Sequence, residues 1–335
     1  MLKNKKSIIL SVLVLIIIIV VFSVVYSGIF NREINISDKP IKTMDNVGND
    51  DIIVEMNLIN PSDSKMLDSV IKQVDRLKAD GVKWAAATDG AVCYGIKYKS
   101  DEYTVGGFLA APGDYLDRKY PVMIYNRGGA NITDFAFGQI YEDTPYFLAR
   151  AGFIVLATQY RGWGKGSGQD EFGGGDVRDV TALIDLAEKF SFSNGKIYMF
   201  GWSRGAMETY IVLSRDDRIT AAVAGAGPTD FFKFYDEQDN TTKAVCVRTA
   251  GGTPDQQPSE YEKRSAVYWA DKINTPLLIA HGTDDTVVQP HHSVDLYDKM
   301  KVLGKDVELK LYEGEDHSVA YENNLGEYFA WLLSH

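Results

Sequence analysis

Lys196-Ile197-Tyr198-Met199-Phe200-Gly201-Trp202-Ser203-Arg204-Gly205 runs from a strand-like segment into a G-x-S-x-G pentapeptide, and a helix-like segment follows over residues 206–215. The pentapeptide alone arises by chance in glycine-containing loops; its place between a strand and a helix makes it a nucleophile elbow. A serine hydroxyl is a weak nucleophile until a tight turn presents it, a base takes its proton and backbone donors stabilise the oxyanion. Gly201 and Gly205 suit such a turn, because side chains there would collide with the adjoining strand and helix.

Working outward, helices and strands alternate. Strands are expected over 91–99, 103–111 and 122–126, then a helix over 139–150, a strand over 153–159 and a helix over 177–189. Beyond the elbow come a strand over 219–225, a strand over 277–281, a helix over 293–303, a strand over 307–312 and a closing helix over 324–333. This order specifies an α/β fold, a mostly parallel sheet with helices on both faces. Residues 230–270 interrupt the alternation with Phe231, Phe232, Phe234, Tyr235, Tyr261, Tyr268 and Trp269. An insertion at that point lies above the carboxyl ends of the strands, where such sheets bind ligands, so it forms a lid or pocket wall or packs onto the sheet.

The N-terminus has a different character. Residues 8–30 are almost unbroken apolar sequence; as a helix they span about 34 Å, more than the ~30 Å hydrocarbon core of a bilayer. Lys3, Lys5 and Lys6 precede the run and no acid lies within it, so an uncleaved anchor is expected with its N-terminus cytoplasmic and the remainder outside the cell. A cleaved signal peptide is the competing reading, although Ser23-Val24-Val25-Tyr26-Ser27-Gly28 makes a poor cleavage site. Residues 31–60 read as a polar tether. Residues 61–335 read as the main domain, opened by an amphipathic helix in which Met66, Leu67, Val70, Ile71, Val74 and Leu77 share a face.

The chain carries a formal charge of -11, and the three lysines of the first thirty residues leave a more acidic body. A net negative surface argues against a nucleic-acid partner. Cys93 and Cys246 are the only cysteines, and a domain of this size folds without a disulfide. His281, His291, His292, His317 and His335 fall into no metal-binding motif. The pair His291-His292 after Pro290 reads as a surface feature at a helix start. The glycine-rich run over 161–168 lacks the spacing of a phosphate loop, so no nucleotide is implied.

A base and an orienting acid are needed for Ser203. His281-Gly282-Thr283-Asp284-Asp285-Thr286-Val287-Val288 places two carboxylates after an apolar strand, and Glu313-Gly314-Glu315-Asp316-His317-Ser318 places a histidine after the last one. Nearby Glu315 and Asp316 would favour protonated His317. Taken with Tyr125-Asn126-Arg127-Gly128-Gly129, Tyr160-Arg161-Gly162 and Tyr261-Glu262-Lys263-Arg264-Ser265-Ala266, residues 90–335 resemble the α/β-hydrolase catalytic domain of the prolyl oligopeptidase family of serine peptidases. The resemblance implies Ser203 as nucleophile, His317 as base and Asp285 as acid, with Asp284 the rival acid. It implies an oxyanion hole built from the Arg204 amide and a second amide, of Arg127 or Gly128, with Tyr125 a weaker candidate. No cofactor is required. Peptide substrates are the expectation, with acyl esters the alternative; the β-propeller that precedes the catalytic domain in many relatives does not fit into residues 31–90.

Overall fold

The computed structural model describes residues 52–59, 91–129 and 138–335. The anchor over 8–30 and the amphipathic helix over 62–79 lie outside the described residues. No helix among the described residues is long and apolar enough to cross a membrane.

Among the described residues, nine strands form one sheet: β1 (Ile53–Ile59), β2 (Ala91–Ser100), β3 (Tyr103–Pro112), β4 (Tyr120–Asn126), β5 (Ile154–Thr158), β6 (Ser193–Trp202), β7 (Ala221–Gly225), β8 (Leu277–Gly282) and β9 (Val307–Tyr312). Their order is β1-β2-β3-β5-β4-β6-β7-β8-β9. The first three pairings, from β1 to β5, are antiparallel, and every pairing from β5 through β4 to β9 is parallel. The expected parallel sheet is present, with a short antiparallel flank.

Alternation along each strand builds two core layers. In β4, Val122 and Ile124 face a layer shared with α2 (Val177–Ala187), α3 (Arg204–Leu213) and α7 (His291–Val302). Met123 and Tyr125 face the opposite layer, shared with α1 (Gly138–Arg150) and α8 (Val319–Ser334). All seven residues of β4 are buried, as expected of a central strand covered on both faces.

Two expectations are corrected, and of the two readings left open for the insertion one is favoured. The tether over 31–60 does not extend to its stated end, since Ile53–Ile59 pairs with β2 as an edge strand. The closing helix begins at Val319 rather than residue 324; Ala320 caps a buried stripe continued by Leu325, Tyr328, Phe329 and Leu332, which ties the extra turn to the sheet. The insertion folds into α4 (Phe231–Glu237), α5 (Asn240–Ala250) and α6 (Pro258–Lys263). Its Phe231, Phe234 and Tyr261 are buried together, with ring centroids of Phe231 5.7 Å from Phe234 and 5.2 Å from Tyr261, while Tyr268 is left exposed. The aromatics are therefore mostly internal packing. Cys93 and Cys246 are both buried and form no disulfide with each other, and burial pushes the Cys246 thiol up to about 12, which makes it inert.

Candidate active site

Ser203 stands between β6 and α3 with φ 58° and ψ -123°, a left-handed conformation that a non-glycine residue adopts only where its surroundings enforce it. Here they do. Its amide donates to Gly225 O at 2.8 Å, and its carbonyl receives the Ala206 amide at 3.0 Å. A side chain at Gly205 would overlap the Asn126 carbonyl, and one at Gly201 would overlap the Gly205 carbonyl and Thr209. Gly205 is thus required by contact with β4 and Gly201 by contact with α3, the strand and helix collisions the steric reading anticipated.

The segments expected to serve Ser203 converge on the carboxyl ends of the parallel strands. Trp202 Nε1 donates to the His317 carbonyl at 3.0 Å, fixing the loop after β9 against the elbow. His317 Nδ1 lies 2.6 Å from Asp285 Oδ2. Of the two adjacent acids, Asp285 is 2% exposed, whereas Asp284 is exposed and receives only the Thr283 hydroxyl at 3.3 Å. The Asp285 carboxylate has a full set of donors. The Val287 and Val288 amides donate to Oδ1 at 2.8 and 3.0 Å, and His281 Nε2 lies 3.1 Å from Oδ2. Burial works to raise its pKa, but the hydrogen bonds from His281 and His317 outweigh burial and hold the carboxyl well below the usual range. Glu315 and Asp316 are turned to other partners: Glu315 receives Asn323 and Asn324 at 3.1 and 2.8 Å, and Asp316 receives the Ser318 amide at 2.9 Å.

His281 is a residue that sequence reading did not assign to the site. Its Nε2 faces two acceptors, Val288 O at 2.9 Å and Asp285 Oδ2, while Nδ1 lies 2.6 Å from Ser293 Oγ. A neutral ring therefore carries its proton on Nε2 and accepts from the serine. Its position one residue before the glycine of the acid loop was the available signal.

The loop after β4 lies beside the nucleophile. A Cβ added at Gly128 would stand 3.4 Å from that of Ser203, so the Arg127 and Gly128 backbone borders the space in front of the hydroxyl. The Tyr125 ring instead stacks on Phe200, 6.1 Å between centroids, in the layer beneath α1 and α8. The glycine-rich loop docks on β3 through the Ser167 amide to Thr104 O at 2.7 Å. With Asp170, Glu171, Arg248 and Thr249 it lines a cavity of ≈ 410 Å³.

His292, read as a surface residue, is fully buried. Glu237, His291 and His292 bring three potential metal ligands together among the described residues. The geometry favours protons over a metal. Glu237 is already 2.7 Å from His291 Nε2 and 3.2 Å from His292 Nε2, so the carboxylate is engaged by both stacked rings. The Thr229 amide donates to His292 Nδ1 at 3.3 Å, leaving the proton on the nitrogen a metal would need.

Residues 140–334 match the prolyl oligopeptidase family. An uncharacterized peptidase of Bacillus subtilis, YtmA, is 31% identical over 226 residues, covering 67% of this chain and 85% of YtmA. Human dipeptidyl peptidase 8 is 26% identical over 265 residues, covering 74% of this chain but 27% of the human protein, so the chain spans about a quarter of that relative. Among solved structures, acylaminoacyl peptidase of Pyrococcus horikoshii superposes with a TM-score of 0.61 at 19% identity, over 74% of this chain and 41% of the other. The Pyrococcus furiosus esterase Pf2001 gives 0.55 at 18% identity, over 76% and 94%. With the elbow and the carboxylate–histidine contact built on this sheet, the chain belongs to the prolyl oligopeptidase family, serine peptidases of the α/β-hydrolase fold.

Proposed function

We propose that the protein cleaves short peptides through an acyl-enzyme, with Ser203 as nucleophile, His317 as base and Asp285 as the acid that holds the imidazole. The observation that carries this reading is the 2.6 Å contact of His317 with a buried, multiply hydrogen-bonded Asp285, on a loop that Trp202 holds to the elbow of a strained Ser203. Ser203 Oγ attacks the scissile carbonyl and passes its proton to His317 Nε2. The oxyanion is held by the Arg204 amide and by the amide of Arg127 or Gly128. His317 then donates that proton to the leaving amine, and water repeats the sequence on the acyl-enzyme. Asp285 stays ionised throughout, which its depressed pKa favours.

The family match and the peptidase relatives support peptides as substrate. Acyl esters are the second reading, favoured by the fold shared with the Pf2001 esterase over nearly all of that chain's length, and the same machinery cleaves both bonds. Residues 8–30 support a single-pass membrane anchor with the hydrolase outside the cell; protease shaving of intact cells removes the hydrolase if so, and full protection sinks that orientation. A fluorophosphonate probe is expected to label Ser203 in the wild type and to leave Ser203→Ala unlabelled. A folded wild-type protein that takes no label points instead to a surface binding protein. Turnover of paired peptide-amide and ester libraries decides between the two substrates.

A further inference from the structure

Arg204, whose amide is the expected first oxyanion donor, buries its side chain in the protein. The guanidinium is 1% exposed and bonds Asp170 with two parallel contacts of 2.7 Å, Asp176 at 2.6 Å and Glu208 at 3.4 Å. It is also stacked, 4.1 Å from the Tyr160 ring centroid and 4.9 Å from that of Phe172. The opposite acids are themselves fixed: Asp170 receives Trp163 Nε1 at 2.6 Å and the Phe172 amide at 2.9 Å, and Asp176 receives the Gly173 amide at 3.1 Å.

The same block grips the loop after β4. Arg204 Nη1 reaches Gly129 O at 3.5 Å, and the Tyr160 hydroxyl donates to Arg127 O at 3.1 Å. The Arg127 guanidinium sits 4.9 Å from the Tyr160 ring and donates to Gln159 O at 2.7 Å. One aromatic ring thus lies against two guanidinium groups, one from each segment expected to supply an oxyanion donor. Stability is a poor explanation for this arrangement, because burying a guanidinium among three carboxyls carries a desolvation cost that well-packed apolar side chains avoid. Its distinctive property is directional: a planar fork bound bidentate and stacked on a ring has one orientation.

We propose that the Arg204 side chain is a positioning group for the oxyanion hole: seated on Asp170 and Asp176, it fixes the first turn of α3 against the loop after β4 and so sets the separation of the two donor amides. Remote support of this kind matters because donors must stand about 3 Å from where the oxyanion forms, and small displacements there cost large factors in rate. The glycine-rich loop, which has no phosphate spacing, acquires a purpose as the support that carries Trp163 and Asp170 to this cluster.

This proposal rests on the serine-nucleophile reading, and its test separates the two. Arg204→Lys, Arg204→Met and Asp170→Asn are assayed with an ester substrate, with kcat expressed per serine labelled by fluorophosphonate at end point, so that any unfolded fraction drops out. The affinity of a peptide boronate that mimics the tetrahedral adduct is measured alongside. The expected result is a fall in kcat of about 10- to 100-fold with KM within about twofold, and a parallel loss of boronate affinity. A kcat per labelled site within twofold of wild type, or a loss confined to KM, overturns the proposal. Wild-type protein that takes no label overturns the nucleophile reading along with it.

Discussion

Two buried carboxylates flank the elbow, and they fare differently. Asp285 has a donor for every lone pair that matters, from two amides and two histidines, and is driven to stay charged. Asp176 shares one guanidinium with Asp170 and Glu208; burial, opposed by Arg204 but aided by Asp170 and Asp179, pushes it up to about 6. Glu208 goes further, well above its ordinary value, through burial and then Asp176, and its Oε2 has no hydrogen-bond partner. Asp170, bound by the guanidinium through two parallel contacts, has burial outweighed by Arg204 and falls well below the usual range. Burial alone therefore does not set the charge of an acid here. The number of donors per carboxylate does, and the side expected to orient the catalytic base is the one with donors to spare.

The sharpest way to break this contrast is Asp285→Asn, expected to lower kcat by about 10³- to 10⁴-fold with thermal stability followed in parallel; a loss below tenfold would remove Asp285 from its role. His281→Phe deletes one donor to the same carboxylate. Because the pKa of Asp285 is depressed, the stability it contributes is present above the ordinary value and lost as pH falls through the folded value; without His281 that value rises, so the acid limb of the thermal-midpoint profile moves upward. An unmoved acid limb contradicts the donor argument. At the other site the sign reverses. Asp176 is raised in the folded state, so the stability it confers is complete below about pH 4 and is lost as pH rises through about 6. Asp176→Asn is expected to flatten the decline of thermal midpoint across that window, and a profile parallel to wild type would contradict it. The smallest effect belongs to the exposed Asp284→Asn, with kcat within about twofold of wild type, as for surface positions in general.

What was legible in the sequence was whatever local sterics encode. The elbow needs glycine at 201 and 205, so it can be read without a fold, and the acid and histidine loops follow strands of unbroken apolar character. Strand β1 was hidden because it is an irregular edge: its register shifts between Ile53 and Glu55, and Val54 and Glu55 are exposed in succession, so period-two alternation runs only over the four residues from Glu55 to Leu58. The Arg204 cluster was hidden for another reason. Of its members, Glu208 alone stands at a helical interval; Asp170 and Asp176 arrive from a loop some thirty residues away. His292 was misjudged because two adjacent histidines look polar, whereas the ring packs 6.4 Å from that of Phe234 and is held neutral by burial and by His291, down to about 3.

The loop carrying His317 follows β9, the outermost strand of the parallel half, and is held to the elbow through Trp202. During synthesis, at about 5–20 residues per second, the chain exposes Ser203 just over a hundred residues before the pairing of β9 with β8 becomes possible. A nascent or truncated chain can therefore possess a formed elbow and remain inert. In refolding, sheet signal should return before reactivity towards a serine-directed probe, with the interval between them timing the arrival of the last strand and helix. With His317 as the proposed base, hydrolysis waits on the docking of the loop after β9, which separates formation of the elbow from onset of activity.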